Sequence, residues 1–155
     1  MADERPAFQE PDWFSRRVFN PLVAWLARRG LSLAGSAVLR VRGRSSGEWR
    51  ETPVNPLTLD GARYLVAARG ETQWVRNMRA AHGGELRVGR RREAFSAVEV
   101  LDDAAKLAVL RAYLRRWKWE VGAFFGGVGP DSSDEELVAE GRRHPVFRIE
   151  REEPG

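Results

Sequence analysis

The sequence predicts a single α+β domain built on a mainly antiparallel β-sheet of about six strands, which curls into a small barrel. Most strand-like stretches follow one another through short turns, and parallel neighbours would instead need crossovers of about a dozen residues or more. The length of 155 residues is that of about one domain. We therefore expect residues 11–155 to form one domain behind a flexible polar leader over residues 1–10.

An amphipathic helix is expected over residues 12–29, ahead of the first strand. Apolar residues recur there at helical spacing, with arginines beside them: Trp13, Phe14, Phe19, Leu22, Val23 and Leu26. Such a helix packs on its own domain or lies on a membrane surface with its aromatic residues in the interface. Both placements stay open.

The strands are predicted from alternating apolar residues bounded by turn residues. Pro53 and Pro56 interrupt the second strand, which is typical of an edge or bulged strand. Asp60-Gly61 is a strong hairpin signal, and the run Arg90-Arg91-Arg92 is interpreted as another turn. Strands are expected over residues 37–42, 50–59, 63–68, 86–89, 93–100 and 146–150.

Three helical segments accompany these strands. The first is expected over residues 74–81 and to end at Gly83-Gly84. The second is expected over residues 102–119, where Asp102 and Asp103 supply the N-cap and the first turn. A short acidic helical turn is expected over residues 132–136.

Composition excludes several classes of protein. The chain has no cysteine, which excludes disulfide scaffolds, thiolate metal sites and a cysteine nucleophile. With 43% apolar and 31% charged residues, it is too apolar for disorder and too charged for a bilayer. Because Asp3, Glu4 and Glu10 make the N-terminus unlike a secretory signal, we expect a cytoplasmic protein.

Arginine dominates the positive charge. Only Lys106 and Lys118 are lysines among the 26 basic residues, which leaves 24 arginines. The planar donor fork of arginine matches phosphate and carboxylate groups, although genome composition and a solvated surface account for most of these residues. The net charge of +4 is too small to favour nucleic acid as a partner.

The usual catalytic and metal-binding sets do not occur in the sequence. His82 and His144 lie far apart, without a metal-ligand partner at i+4 or a nearby carboxylate. We interpret both as loop or surface residues, expect no metal site, and assign no catalytic residue.

One group of residues suited to an anionic ligand lies in the first predicted turn. Residues 43–47 offer backbone N–H groups and two serine hydroxyls between Arg42, Arg44 and Arg50. The alternative is a solvated, arginine-rich hairpin.

A second group follows at the end of the third strand. Ala68 and Arg69 precede a helix with Trp74 and Asn77 on one turn, an arrangement suited to a planar ring with an anionic tail. The alternative for Trp74 and Asn77 is a core residue and a cap.

The order and spacing of these groups resemble the deazaflavin-dependent nitroreductase family, which includes quinone-reducing members. The family pattern is approximately Gly-Arg-(Lys/x)-(Ser/Thr)-Gly, a downstream Arg-x-x-Pro, a strand that ends in small residues and a basic residue, and Trp-x-x-Asn-(Leu/Met). The matching segments here are 43–47, 50–53, 66–70 and 74–78, and the likeness covers residues 38–100.

The resemblance implies a split β-barrel related to FMN-binding folds, and coenzyme F420 as the cofactor, with FMN as the alternative. It implies that the first group binds the phosphate and oligoglutamate tail, and that the second lines the deazaflavin. The implied residues are Arg44, Ser45, Ser46, Arg50, Thr52 and Pro53 in the first group, and Ala68, Arg69, Trp74 and Asn77 in the second.

The chain departs from the family pattern mostly on the substrate side. Ser45 stands where the family often has lysine, Asn55 where it often has an aromatic hydroxyl residue, and Ala68 where it often has serine. Asn55 is a candidate substrate-pocket residue. Trp117, which begins an aromatic segment, is either a wall of that pocket or a core residue.

We therefore expect hydride transfer from a reduced deazaflavin to an electron-poor acceptor such as a quinone, a nitroaromatic or an activated alkene. The alternatives are an FMN-binding split-barrel protein and a non-enzymatic module that binds an anionic ligand or a membrane surface. The expected partner is a small-molecule acceptor and not nucleic acid. Peripheral contact with the inner membrane face through the N-terminal helix and a homodimer stay open.

Overall fold

The computed structural model describes residues 37–152. The leader over residues 1–10 and the helix over residues 12–29 lie outside the described residues, and so do the last three positions. In the described part, no helix is long and apolar enough to cross a membrane.

Within residues 37–152, seven strands form one antiparallel sheet, in the order β2-β1-β5-β6-β7-β4-β3. This confirms the predicted α+β class and the antiparallel, curled sheet. The strands are β1 (Ala37–Arg42), β2 (Trp49–Val54), β3 (Leu57–Leu59), β4 (Ala62–Val66), β5 (Gly83–Val88), β6 (Arg91–Glu99) and β7 (Val146–Arg151).

The connection between β2 and β3 explains why the sheet curls. These strands lie at opposite edges of the sheet, yet only Asn55 and Pro56 join them. The strand ends, Val54 and Leu57, are three residue steps apart and thus at most about 11 Å from each other, so the edges must come together. The predicted single strand over 50–59 is therefore wrong, because the chain leaves one edge at Asn55 and enters the other edge at Leu57.

The helices are α1 (Gln73–Ala81), α2 (Asp103–Val121) and α3 (Asp134–Gly141), with a 3-10 turn over Gly122–Phe124. Asp102 caps α2 as predicted, since its carboxylate accepts from the Ala105 N–H at 2.9 Å. Ser133 and Glu136 form a capping box at α3, which extends further than the expected turn.

Two expected boundaries are wrong near α1. The helix ends at His82, in the left-handed conformation with φ 57°, and Gly83-Gly84 begin β5 instead of stopping the helix. A Cβ at Gly84 would overlap the carbonyl oxygen of Arg40, so glycine allows β1 and β5 to approach closely. The strand expected over 63–68 ends at Val66, because residues 67–70 form a turn.

The core consists of two clusters on the two faces of the sheet. Leu65 and Val66 are neighbours in β4 and belong to different clusters, as the alternation of side chains along a strand requires. The inner cluster includes Leu39, Val75, Met78, Phe95 and Phe147. The outer cluster, beneath α2 and α3, includes Leu110, Leu114, Trp117, Phe125 and Leu137.

Candidate functional site

The β1–β2 turn, residues 43–48, is held by its own backbone. The N–H of Gly43 donates to the carbonyl of Glu48 at 2.7 Å, and the N–H of Gly47 donates to the carbonyl of Gly43 at 2.9 Å. The Ser46 hydroxyl accepts from the Glu48 N–H at 3.1 Å. Ser45 and Ser46 are exposed, so both side chains are accessible to a ligand.

Arg44 connects this turn to α1. Its Nη1 donates to the side-chain oxygens of Gln73 at 2.9 Å and of Asn77 at 2.8 Å, and its backbone N–H donates to the same Asn77 oxygen at 3.1 Å. Asn77 is buried, with 4% of its surface exposed. The two residues, predicted separately, therefore form one unit.

Of Arg42 and Arg50, which flank the β1–β2 turn, Arg50 is the more available to a ligand. Its only ion pair within the described residues is the 3.9 Å contact with Glu48, and both side chains are mostly exposed. Arg42, by contrast, donates to the Gly47 carbonyl at 2.9 Å and lies over the Trp49 ring. Arg50 is thus placed to bind an anion without losing a strong partner.

Thr52 and Pro53 lie further along β2. Thr52 pairs with Leu39 and Pro53 with Val38, and residues directly opposite in antiparallel strands share a face. The two side chains therefore lie on opposite faces of the sheet, and both residues are half-buried. Their role in the site stays a prediction.

The turn that contains Ala68 and Arg69, residues 67–70, follows β4. The Gly70 N–H donates to the Ala67 carbonyl at 3.0 Å, and the Ala68 N–H donates to the Val66 carbonyl at 3.0 Å. The guanidinium of Arg69 lies 5.7 Å from the centre of the Phe124 ring. This places a positive charge between the turn and the 3-10 turn after α2.

The start of α1 follows the 67–70 turn. Thr72 is its N-cap, but the side chain makes no capping hydrogen bond, and Thr72 Oγ1 is buried without a partner in the described part of the chain. The N–H groups of the first turn are thus open to an acceptor. Trp74 is half-buried against the inner cluster, with its ring 5.8 Å from that of Phe147.

Arg79 fixes the position of α1. Its guanidinium donates two hydrogen bonds to Glu71 and two to Glu99, at 2.8–2.9 Å. The hydrogen bonds that Arg79 donates to Glu99, and then those to Glu71, raise the pKa of Arg79 above its usual value. The helix is therefore clamped both to the segment before it and to the end of β6.

Asn55 lies at the opposite end of β2 from Arg44, at the joint between the sheet edges. Its amide donates to Glu120 at 3.1 Å. Burial raises the pKa of Tyr113 well above its usual value, and the Glu120 charge raises it further. The phenol is thus a weak proton donor.

Trp117 lies on α2 inside the outer cluster, with 2% of its surface exposed. Its Nε1 is buried without a hydrogen-bond partner in the part of the chain described. These surroundings are those of a core residue, which is one of the two interpretations given above for Trp117. The role of Trp117 and Asn55 toward a substrate stays a prediction.

His144 corrects one interpretation from the sequence. It is fully buried, its Nε2 lies 2.6 Å from Glu140 Oε2, and its Nδ1 lies 3.1 Å from the Ala67 carbonyl oxygen. The expectation of a surface histidine without a nearby carboxylate is wrong, because the carboxylate of Glu140, near the end of α3, lies beside the buried imidazole. His82 is exposed at the end of α1, as expected.

The described residues therefore form one polar cluster, made from the β1–β2 turn, the 67–70 turn and the start of α1. Sequence reasoning missed Gln73 and Thr72 in it, although Thr72 directly before a predicted helix is a capping signal. No cluster of metal-ligating side chains occurs within residues 37–152. The donors are arginines, hydroxyls and backbone N–H groups, which suit a phosphate or carboxylate.

A family model described as F420H(2)-dependent quinone reductase matches residues 15–120, more than half of the 155. No curated protein matches the chain.

Several solved structures are similar in fold. A conserved hypothetical protein from Mycobacterium tuberculosis is 15% identical, with 98% of this chain and 87% of that chain covered and a TM-score of 0.54. A candidate pyridoxamine 5′-phosphate oxidase from Listeria innocua is 14% identical over 84% of this chain and 94% of that one, with a TM-score of 0.51. An F420-H2 dependent reductase is 18% identical over 75% of this chain and 94% of that one, with a TM-score of 0.44. At these identities, the likeness to the first two structures shows the fold alone.

Proposed function

The chain belongs to the F420H(2)-dependent quinone reductase family, and we propose that it reduces an electron-poor acceptor such as a quinone, a nitroaromatic or an activated alkene. As a member of that family it is an F420-dependent oxidoreductase. The acceptor gains a hydride and a proton in this reaction.

The donors of the polar cluster fit the anionic part of this cofactor. Thr72 Oγ1 is buried without a partner among the described residues, and the first turn of α1 has no side-chain cap. A phosphate would satisfy such groups. This observation carries the proposal, because an uncapped helix start and a buried orphan hydroxyl otherwise cost free energy.

The arginines supply the charge for the same anion. Gln73 and Asn77 hold only one terminal nitrogen of Arg44, which leaves its other N–H groups for a ligand. Arg50 and the hydroxyls of Ser45 and Ser46 extend the site toward solvent. We assign the phosphate to Arg44 and the start of α1, and the glutamate tail to Arg50, Ser45 and Ser46, with Thr52 and Pro53 along the same strand as Arg50.

The ring is assigned to the second group. Ala68, Arg69 and Trp74 lie on the 67–70 turn and at the start of α1, and Asn77 lies one turn further along the helix. Reduced deazaflavin supplies the hydride when bound, and the protein orients it and excludes water. Because Tyr113 holds its proton tightly, we propose that the proton comes from solvent.

A cofactor titration tests the assignment. The fluorescence of F420 and the absorbance of FMN report binding to the purified chain in separate titrations. Arg50→Gln is expected to raise the Kd for F420 about tenfold, the size of one charge-assisted contact of about 1.4 kcal/mol. Arg92→Gln removes the same charge at the start of β6, at the end of the sheet away from the β1–β2 turn, and should leave the Kd unchanged. Tight binding of FMN with none of F420 would overturn the proposal.

We also propose peripheral contact with the inner membrane face through residues 12–29, and a homodimer. Co-sedimentation with anionic liposomes that is lost on deletion of residues 1–30 would support the first. Light scattering of the purified chain at a mass of one protomer, 17.5 kDa, would contradict the second.

A further inference from the structure

A buried pair of titratable side chains, Glu140 and His144, lies next to the 67–70 turn. His144 is 0% exposed and Glu140 is 8% exposed, and their Nε2 and Oε2 atoms are 2.6 Å apart. The imidazole also stacks on Phe125, with the ring centres 3.9 Å apart and the planes within 14°. Neither side chain has a part in the function proposed above.

The hydrogen bonds determine where the protons lie. His144 Nδ1 contacts a carbonyl oxygen, that of Ala67, at 3.1 Å, and a carbonyl can only accept. Nδ1 therefore carries a hydrogen and donates it. Nε2 and the Glu140 carboxyl then have one proton between them, and in either position of that proton the ring orientation is the same.

The contacts converge on one backbone unit. The Ala67 carbonyl accepts from His144 Nδ1 and from the Gly70 N–H, while the Ala67 N–H donates to the Pro145 carbonyl at 2.8 Å. Both polar groups of Ala67 are thus fixed by residues beside β7 or within the turn. Ala68 and Arg69, the two central residues of the turn, have their position set by this arrangement.

A buried polar pair of this kind is a weak source of stability. Desolvation of an ion pair offsets much of its attraction, and apolar residues of the same shape often stabilise a core as well or better. The pair instead fixes the orientation of the groups that it joins, because hydrogen bonds are directional and apolar contacts are not.

We propose that Glu140 and His144 are positioning residues: Glu140 orients His144, and His144 holds the 67–70 turn in the conformation that binds the cofactor. The link to the cofactor rests on the proposed function, whereas the hold on the turn does not. The pair therefore acts on ligand affinity through Ala67, without touching the ligand.

Three variants separate these contributions. His144→Phe keeps the stacking on Phe125 but cannot donate to Ala67. His144→Asn keeps an amide nitrogen near the place of Nδ1 but loses Glu140. Glu140→Gln keeps both hydrogen bonds, since its amide donates to Nε2 of a neutral imidazole. Leu137→Ala is the matched control, because it destabilises the same helix from a buried position in the outer cluster without removing a polar contact to the turn.

Two readouts are measured for each variant, with the free energy of unfolding as reference. In His144→Phe we expect the Gly70 amide to exchange about tenfold faster relative to core amides, and the Kd for F420 to rise about tenfold. Glu140→Gln should behave as the wild type, and His144→Asn should lie between the two. Leu137→Ala should lose stability with an unchanged Kd.

Several results would overturn the proposal. A folded His144→Phe with wild-type Gly70 exchange and Kd would do so. If that variant does not fold, a wild-type His144→Asn would overturn the orienting role of Glu140, because asparagine keeps the donor to Ala67 and loses Glu140. A loss of affinity in Glu140→Gln or Leu137→Ala as large as in His144→Phe would assign the effect to charge or to general stability. If the wild type does not bind F420 at all, the proposed function fails, and Gly70 exchange alone decides whether the pair holds the turn.

Discussion

Replacement of Asn77 by leucine should detach the β1–β2 turn from α1. The Asn77 oxygen accepts two hydrogen bonds from Arg44, one from its backbone N–H at 3.1 Å and one from its guanidinium at 2.8 Å. A neutral bond contributes about 1 kcal/mol, and a charge-assisted one about 1.5–3 kcal/mol. Because Arg44 is exposed and its guanidinium regains water, we expect a loss of about 2 kcal/mol in all.

Urea unfolding of Asn77→Leu, followed by circular dichroism, measures this loss. With a slope of about 2 kcal/mol/M, the midpoint should fall by about 1 M while the slope itself stays the same. Gln73→Ala is the control, because it removes only an exposed bond to the same guanidinium and should cost less than about 0.5 kcal/mol. Equal midpoints for Asn77→Leu and the wild type would refute the reasoning that Arg44 is held through this oxygen.

Three further predictions concern the sheet and the α1 clamp. Arg79→Met should lower the free energy of unfolding by about 1 kcal/mol at low salt. Salt screens part-exposed ion pairs, and the screening length is about 3 Å in 1 M salt. A stability difference that persists in 1 M salt would therefore contradict an ionic origin. Gly84→Ala should lower the free energy of unfolding by about 3 kcal/mol and Gly89→Ala by about 1 kcal/mol, as measured by thermal unfolding. A Cβ at Gly84 overlaps the Arg40 carbonyl, whereas a Cβ at Gly89 meets open space and is strained only by the positive φ. A hydrogen bond from Arg63 lowers the pKa of Glu93 below its usual 4.5, so the pair stabilises the fold above that pH. Glu93→Gln should then be less stable than the wild type at pH 7 and approach it as the pH falls below about 4, and a gap that stays constant with pH would count against the pair.

Elements that depend on neighbouring residues are predicted well from the sequence. The cap at Asp102 and the hairpin at Asp60-Gly61 both occur in the structure, because each needs only residues a few positions apart. Element ends are less predictable. His82 ends α1 in place of the glycines after it, since Gly83 allows the close approach of β5 to β6 and Gly84 that of β5 to β1.

The single strand expected over 50–59 is wrong for a different reason. The local pattern predicts an interrupted extended segment, but it does not indicate that the two halves of this segment pair at opposite edges of the sheet. The interpretation of His144 is wrong because the helix before it was expected to be too short to reach Glu140. His144 lies beyond the end of α3 (Asp134–Gly141). The turns after the helix, in which the N–H groups of Arg143 and His144 donate to the carbonyls of Glu140 and Gly141, bring the imidazole back beside Glu140.

The sequence by itself determines the fold class and the chemistry of the site, because alternation, turn residues and the type and order of arginine, serine and asparagine are local properties. It places Arg44 and Asn77 in the site as separate residues. Only the tertiary structure decides that they are bonded across 33 positions, that Thr72 Oγ1 is left without a partner in the described chain, and that His144 holds Ala67 across 77 positions. The Arg44–Asn77 contact depends on the packing of α1 against β1, and the His144–Ala67 contact depends on the pairing of β4 with β7. No pattern within a few residues carries either.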